Sequence, residues 1–140
     1  MIRKLLILLM FTPLLLFSQN TYDFEGRLTS DHTLDKEGKI IVTRNYFYSS
    51  DALTHELWYN HENILAVRYN YNKEGNVSEI IKYSPWEKEV TITDREEYYY
   101  DKNNILIFSL YTDSYKEITE KIYNSRGEEI HKIHYNKKIT

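Results

Sequence analysis

A five-residue signature that recurs about every twelve residues is the feature that most constrains how this chain can fold. Its first place is Tyr in five of six copies, its second is always Asp or Asn, and its fifth is always Gly or Asn. All four glycines of the protein occupy that fifth place. The six copies begin at Tyr22, Leu34, Tyr59, Tyr71, Tyr100 and Tyr123. Such self-similarity predicts a domain assembled from equivalent structural units.

The chemistry of the signature predicts a β-hairpin tip in each copy. An Asp or Asn side chain at the second place accepts a hydrogen bond from the backbone two residues on, which forms an Asx-turn. The residue at the fifth place must then adopt a positive φ, which Gly does freely and Asn tolerates better than most other residues. A type I turn followed by a left-handed residue is a common connection between antiparallel strands. The Tyr at the first place therefore ends the incoming strand.

Four further positions keep the same rhythm with different turn residues, and they begin at Tyr48, Tyr83, Tyr111 and Tyr135. A step of twelve leaves about eight residues of strand between successive turns. The segments between the turns are rich in β-branched and aromatic residues, which favour strands. The sequence therefore predicts an all-β fold, an antiparallel β-meander of about 9–10 short strands that forms a curled single sheet or an incomplete barrel.

The first copy also resembles a known repeat. The segment Tyr22-Asp23-Phe24-Glu25-Gly26-Arg27-Leu28 is similar to the tyrosine-aspartate (YD) repeat of Rhs-type proteins, and the segment from Tyr71 to Tyr83, with Gly75, is similar in the same way. In the large members of that family, many repeats wind a long β-sheet into a shell around a toxic cargo domain. The resemblance implies export, and either a small, divergent relative or a look-alike, since about ten strands are too few to enclose a cargo domain. It implies no catalytic residue.

The first eighteen residues have the pattern of a secretory signal peptide, which leaves an all-β repeat domain over residues 19–140. Arg3 and Lys4 form a short basic region, and Leu5 to Leu16 is largely apolar. A run of this length is too short to span a bilayer, which takes about 20 residues. The alternative is an uncleaved anchor. We expect a bacterial protein that is periplasmic or secreted after cleavage and that keeps no integral membrane segment.

Composition excludes several kinds of chemistry. The absence of Cys excludes disulfides, thiolate metal sites and a cysteine nucleophile. A formal net charge of −3 gives no support for nucleic-acid binding. His131 and His134 are three residues apart in a predicted strand, so they point to opposite faces and do not share a metal. We therefore expect no cofactor, no metal site and no catalytic residue.

Aromatic residues are the strongest candidates for binding. Trp86 follows Pro85 in a predicted turn, where a large apolar ring has little to pack against. Tyr98 and Tyr100 share one face of a predicted strand, and Tyr99 points to the other. Such rings anchor protein partners or stack on sugars. We take Trp86, Tyr98 and Tyr100 as the predicted binding residues.

The sequence thus predicts an exported, non-enzymatic β-repeat protein that binds another macromolecule. The favoured partner is a protein, and one specific form is an immunity or antitoxin-like partner of an exported toxin. The alternative is a carbohydrate-binding module of the envelope. A third possibility, an enzyme, requires polar side chains from separate strands to converge in a cleft. Adjacent carboxylates such as Glu96 and Glu97 do not form a catalytic pair, because neighbouring strand residues face opposite ways.

Overall fold

The computed structural model describes residues 20–85 and 90–135, and this part of the chain contains strands and turns but no helix. The ten strands are β1 (Thr21–Tyr22), β2 (Leu28–Leu34), β3 (Ile40–Ser49), β4 (Ala52–Asn60), β5 (Leu65–Tyr71), β6 (Val77–Tyr83), β7 (Ile92–Tyr100), β8 (Leu106–Thr112), β9 (Ile118–Tyr123) and β10 (Glu129–Tyr135). The predicted signal peptide and Trp86 lie outside the described residues.

All ten strands form one antiparallel sheet whose spatial order, β1 to β10, follows the sequence. The sheet is open, with β1 at one edge and β10 at the other. Within the described ranges, strands contact only their neighbours in sequence, so the sheet is a single layer. The prediction of an all-β meander is confirmed.

The turns have the predicted chemistry. In the β2–β3 turn, Asp35 Oδ1 accepts hydrogen bonds from the backbone N–H groups of Glu37 and Lys39, both at 2.9 Å. Gly38 has a φ of +82° and donates its N–H to the carbonyl of Asp35 at 3.1 Å. The other five copies repeat these contacts, and a positive φ occurs at Gly26, Asn63, Gly75, Asn104 and Gly127. The interpretation of the signature as a hairpin tip is therefore correct.

A seventh turn of the same kind connects β8 and β9, one residue later than the rhythm beginning at Tyr111 indicates. Asp113 Oδ1 accepts from the N–H groups of Tyr115 and Glu117, both at 2.9 Å, and Lys116 takes the positive φ of +62°. The first place of this copy is thus Thr112. The acidic side chain fixes the turn, and the structure tolerates a lysine in a left-handed conformation that costs an ordinary residue about 1–2 kcal/mol.

Strand register divides the sheet into two faces, because residues paired across antiparallel strands project to the same side. One face carries eight tyrosines, seven on the odd-numbered strands β3 to β9 and one on β8, and we call it the tyrosine face. The other carries most of the aliphatic side chains, including Leu57, Leu110 and Ile122, and we call it the apolar face. The tyrosine face is defined by Tyr46, Tyr48, Tyr69, Tyr71, Tyr98, Tyr100, Tyr111 and Tyr123.

This architecture buries very little apolar surface. Among the described residues, Ile81 is the only hydrophobic side chain that is buried. The other two buried residues are polar, Glu56 and Ser109, and both lie on the tyrosine face. The sheet is therefore organised around polar side chains rather than around an apolar core.

Candidate functional site

The tyrosine face arises from the alternation of turns between the two ends of the sheet. In a meander, the turns that follow odd-numbered strands all lie at one end. The tyrosines that precede them therefore share a face, and each of β3, β5 and β7 adds a second tyrosine two residues earlier. Tyr111, on β8, is the eighth tyrosine of this face, and all eight are half-buried. The three pairs are Tyr46 with Tyr48, Tyr69 with Tyr71, and Tyr98 with Tyr100.

The tyrosines near the ends of β3, β5, β7 and β9 each bond to the strand before them. Their partners are either a carbonyl at the start of that strand or a side chain within it. The contacts are Tyr48 Oη to the Leu28 carbonyl at 3.0 Å, Tyr71 Oη to Glu56 Oε1 at 2.6 Å, Tyr100 Oη to the Val77 carbonyl at 2.7 Å, and Tyr123 Oη with Ser109 Oγ at 3.2 Å. The hydroxyls thus link successive strands across this face.

Glu56 is the centre of a buried hydrogen-bonded cluster. Its side chain is 9% exposed, and it accepts hydrogen bonds from Tyr71 Oη at 2.6 Å and from Trp58 Nε1 at 2.8 Å. The Arg44 guanidinium lies over the Trp58 ring, 4.9 Å from its centroid, and Tyr69 packs against the same indole. Burial, together with the bond to Glu56, raises the pKa of Tyr71 well above its usual value. The phenol therefore stays neutral and donates to a buried carboxylate.

A second cluster includes one of the predicted binding residues. Tyr111 Oη donates to Asp94 Oδ1 at 2.7 Å, and this bond, with burial, raises the pKa of Tyr111 to about 12. Burial and then the Glu96 carboxylate raise the pKa of Tyr98. Tyr98 and Tyr100 do share a face, as predicted, but both are half-buried and the Tyr100 hydroxyl is bonded to a backbone carbonyl. These two residues therefore take part in the internal packing of the sheet.

The apolar face has the opposite character. Across β3 to β10, every large hydrophobic side chain that is exposed at a position with a register partner lies on this face. These six residues are Ile40 (37% exposed), Phe47 (39%), Ile92 (47%), Tyr99 (37%), Ile118 (39%) and Tyr135 (47%). Sequence reasoning placed Tyr99 on this side but did not select it. The signal that could have selected Tyr99 is its position in the middle of the Tyr98-Tyr99-Tyr100 run, which places it on the face opposite its two neighbours.

Two stacked aromatic pairs stand on the apolar face. Phe47 stacks on His55 with ring centroids 4.4 Å apart, and Tyr99 stacks on Phe108 with centroids 4.2 Å apart. Burial, and next the Arg68 cation, lower the pKa of His55, so its ring is neutral where it packs on Phe47. In each pair, which we call a platform, the two rings stack face to face across neighbouring strands.

A polar strip separates the two platforms. Asn70 Nδ2 donates to Glu79 Oε2 at 2.6 Å, and Arg95 Nε lies 3.1 Å from Glu79 Oε1. Arg68 Nε donates to Asn70 Oδ1 at 2.8 Å. Glu97 stands directly opposite Glu79 in the register of β6 and β7, so the strip carries more than one carboxylate near its centre.

The described residues contain no candidate metal centre, and no family model or curated protein matches the chain. Among the described residues, no three His, Asp or Glu side chains are grouped so that they could hold a metal ion. His131 and His134 face opposite sides, as predicted. No helix in the described ranges is long and apolar enough to cross a membrane.

Proposed function

We propose that this chain is an exported, non-enzymatic β-repeat protein that binds another protein through the apolar face of its sheet. One observation carries the proposal: the large hydrophobic side chains exposed at paired positions in β3 to β10 are all on one face, and no described element covers them. Exposed apolar surface beside polar residues is a mark of interaction sites. Here the exposed side chains form two groups, one on β3 and one on β7 to β10, and the polar strip lies between Phe47 and Tyr99. On the tyrosine face, in contrast, several phenols donate hydrogen bonds to carboxylates or carbonyls of the preceding strand.

The composition of the apolar face indicates the chemistry of its partner. Aromatic side chains and Arg are enriched at the centres of protein interfaces, and both occur here. Glu79 and Glu97 are directly opposed, and Glu120 lies in the same row two strands away. The whole chain is also acidic, with a formal charge of −3. The expected partner is an exported protein with an apolar patch flanked by Lys or Arg, since its cations complement these carboxylates.

The resemblance to YD repeats gives this partner a specific form. An exported toxin with a basic apolar patch fits both the charge of the face and the association of Rhs-type repeats with toxic cargo. In that form the chain acts as an immunity or antitoxin-like protein, and its sheet serves as a rigid platform. The wide, uncovered sheet and the carboxylates of the polar strip support this form.

The test compares adjacent residues on opposite faces. A tagged chain from Gln19 onward, which contains every described residue, captures proteins from envelope and culture fractions, and mass spectrometry identifies them. Matched baits carry Phe47→Ser with Tyr99→Ser on the apolar face, or Tyr98→Phe with Tyr100→Phe on the tyrosine face. A further bait carries Trp86→Ala. We expect one stoichiometric polypeptide, lost with the apolar-face bait and retained with the tyrosine-face bait.

Circular dichroism of each bait verifies that the sheet is intact. Capture that survives Phe47→Ser with Tyr99→Ser in a folded bait contradicts the proposed face. If capture is lost only with Trp86→Ala, the contact moves to that residue. If it is lost only in a further folded bait that carries Tyr98→Ala with Tyr100→Ala, the contact moves to those two residues, which were also predicted from the sequence. An acidic or uncharged captured protein contradicts the proposed charge complementarity.

A further inference from the structure

A depression of about 390 Å³ opens on the tyrosine face, where β7 to β10 lie side by side. Its volume is within the range of small-molecule sites, which is about 300–1,000 Å³. The residues that line it are Glu96, Tyr111, Thr119, Lys121, Lys132 and His134. All six share the tyrosine face through the register of β7 with β8, β8 with β9, and β9 with β10. The depression therefore lies on the opposite side of the sheet from the proposed protein contact.

Two lysines meet at one end of this depression. Lys121 and Lys132 are direct register partners in β9 and β10. Side chains at such positions have Cβ atoms about 4.5–5.5 Å apart, and like charges there repel. Lys121 Nζ lies 3.6 Å from Glu129 Oε2, whereas Lys132 forms no ion pair with any acidic side chain in the described residues. An anion between the two ammonium groups relieves this repulsion.

The remaining walls offer hydrogen-bonding groups and an aromatic ring. Thr119 Oγ1 and His134 Nδ1 are 2.9 Å apart beside the lysines. Tyr111 is fixed by its bond to Asp94 and lines the depression between Glu96 and Thr119 in the register of β7 to β9. Glu96 stands at the far side, with a carboxylate that accepts hydrogen bonds from ligand hydroxyls.

We propose that this depression binds an acidic sugar. Its oxyanion lies between Lys121 and Lys132, its ring lies on Tyr111, and its hydroxyls donate to Glu96. A compact ligand with one anionic end and several hydroxyls complements the two lysines and the Glu96 carboxylate. The charged group is a carboxylate, as in a uronic acid, or a phosphate monoester, as in a phosphorylated sugar, because two lysines bind either oxyanion.

The test uses three sugars of the same size and titrates them into the chain from Gln19 onward. Glucuronate carries a carboxylate, glucose 6-phosphate carries a phosphate, and glucose is the neutral control. Calorimetry measures affinity at constant ionic strength, and amide NMR shifts locate the contact. We expect at least one anionic sugar to bind, with shifts confined to β7–β10, and glucose to bind at least tenfold more weakly because it lacks a charge-assisted bond.

Substitutions at the lysines test the site itself. Lys132→Gln is expected to weaken binding of the anionic sugar about tenfold, Lys132→Arg to retain most of it, and Lys36→Gln in the β2–β3 turn to leave it unchanged. Binding of glucuronate alone, or of glucose 6-phosphate alone, supports the site and identifies the oxyanion. Equal binding of glucose, unchanged affinity in the folded Lys132→Gln variant, or no binding of any probe at millimolar concentration overturns the proposal. None of these outcomes bears on the apolar face.

Discussion

The two faces of the sheet differ in how their half-exposed side chains find partners in a single layer. On the tyrosine face, half-buried phenols bond to carboxylates and carbonyls of the preceding strand, so the face supplies its own partners. On the apolar face, six large hydrophobic side chains at paired positions are 37–47% exposed. A single-layer sheet has no second layer to bury either side. The comparison indicates that the hydrogen bonds of the tyrosine face stabilise the domain, whereas no described element covers the apolar face.

Glu56→Ala is the substitution that is expected to lower the stability of the tyrosine face most. It removes the shared acceptor of Tyr71 Oη and Trp58 Nε1 at one of the few buried positions. Two donors left without partners cost about 2–4 kcal/mol of unfolding free energy. Urea denaturation followed by circular dichroism measures the loss. Glu62→Ala, in the exposed part of the β4–β5 turn, is the control and is expected to change stability by less than about 0.5 kcal/mol. Equal losses in the two variants contradict the structural role of Glu56.

A smaller loss of stability is expected to distinguish a tyrosine hydroxyl on the tyrosine face from one on the apolar face. Tyr71→Phe keeps the ring and removes one hydrogen bond to Glu56, which is expected to cost about 1 kcal/mol. Tyr59 lies on the apolar face, and its hydroxyl bonds to no described group, so Tyr59→Phe is expected to be neutral. Urea denaturation of both variants checks the difference. A loss in Tyr59→Phe as large as that in Tyr71→Phe means that hydroxyl bonding does not distinguish the faces.

The smallest expected change in stability occurs only at alkaline pH. Folding raises the pKa values of Tyr71 and Tyr111 above the value of 10.0 for a free phenol, that of Tyr111 to about 12. The stability from these two phenols is therefore fully present below pH 10 and is lost as the pH rises from there through the folded pKa values. Denaturation at pH 8, 10 and 11 measures the decline. Tyr71→Phe with Tyr111→Phe is expected to flatten it, and an unchanged slope in that variant assigns the decline to other groups.

Local conformation was the part of this fold most open to sequence reasoning. An Asp or Asn followed three residues later by Gly or Asn determines each turn within five residues, and the structure confirms all six predicted copies. The repeat pattern places the β8–β9 turn one residue too early because it takes Tyr111 as the first residue of the copy. The side chain of Asp113 sets the geometry of this turn. Trp86 lies outside the described residues, and its predicted role is still a prediction, as are those of Tyr98 and Tyr100.

The composition of each face was much harder to predict, since it depends on register. Eight of the nine strand pairs contain a register shift. An extra residue of this kind reverses the alternation of side chains, so counting by twos along the sequence assigns residues to the wrong side. In β10, for example, the shift leaves Ile130 without a partner between Glu129 and His131. The facing of Lys121 and Lys132 follows only from this register.

The sequence by itself determined the turns, the number of strands and the antiparallel order, because each depends on the φ preferences and side-chain hydrogen bonds of a few consecutive residues. Only the tertiary structure decided which tyrosine reaches which carboxylate and which hydrophobic side chains are left uncovered. Those contacts join residues as far as 23 positions apart, as in the bond from Tyr100 to Val77. They exist only when the register of neighbouring strands is fixed, and register is set by bulges and cross-strand packing rather than by local preference.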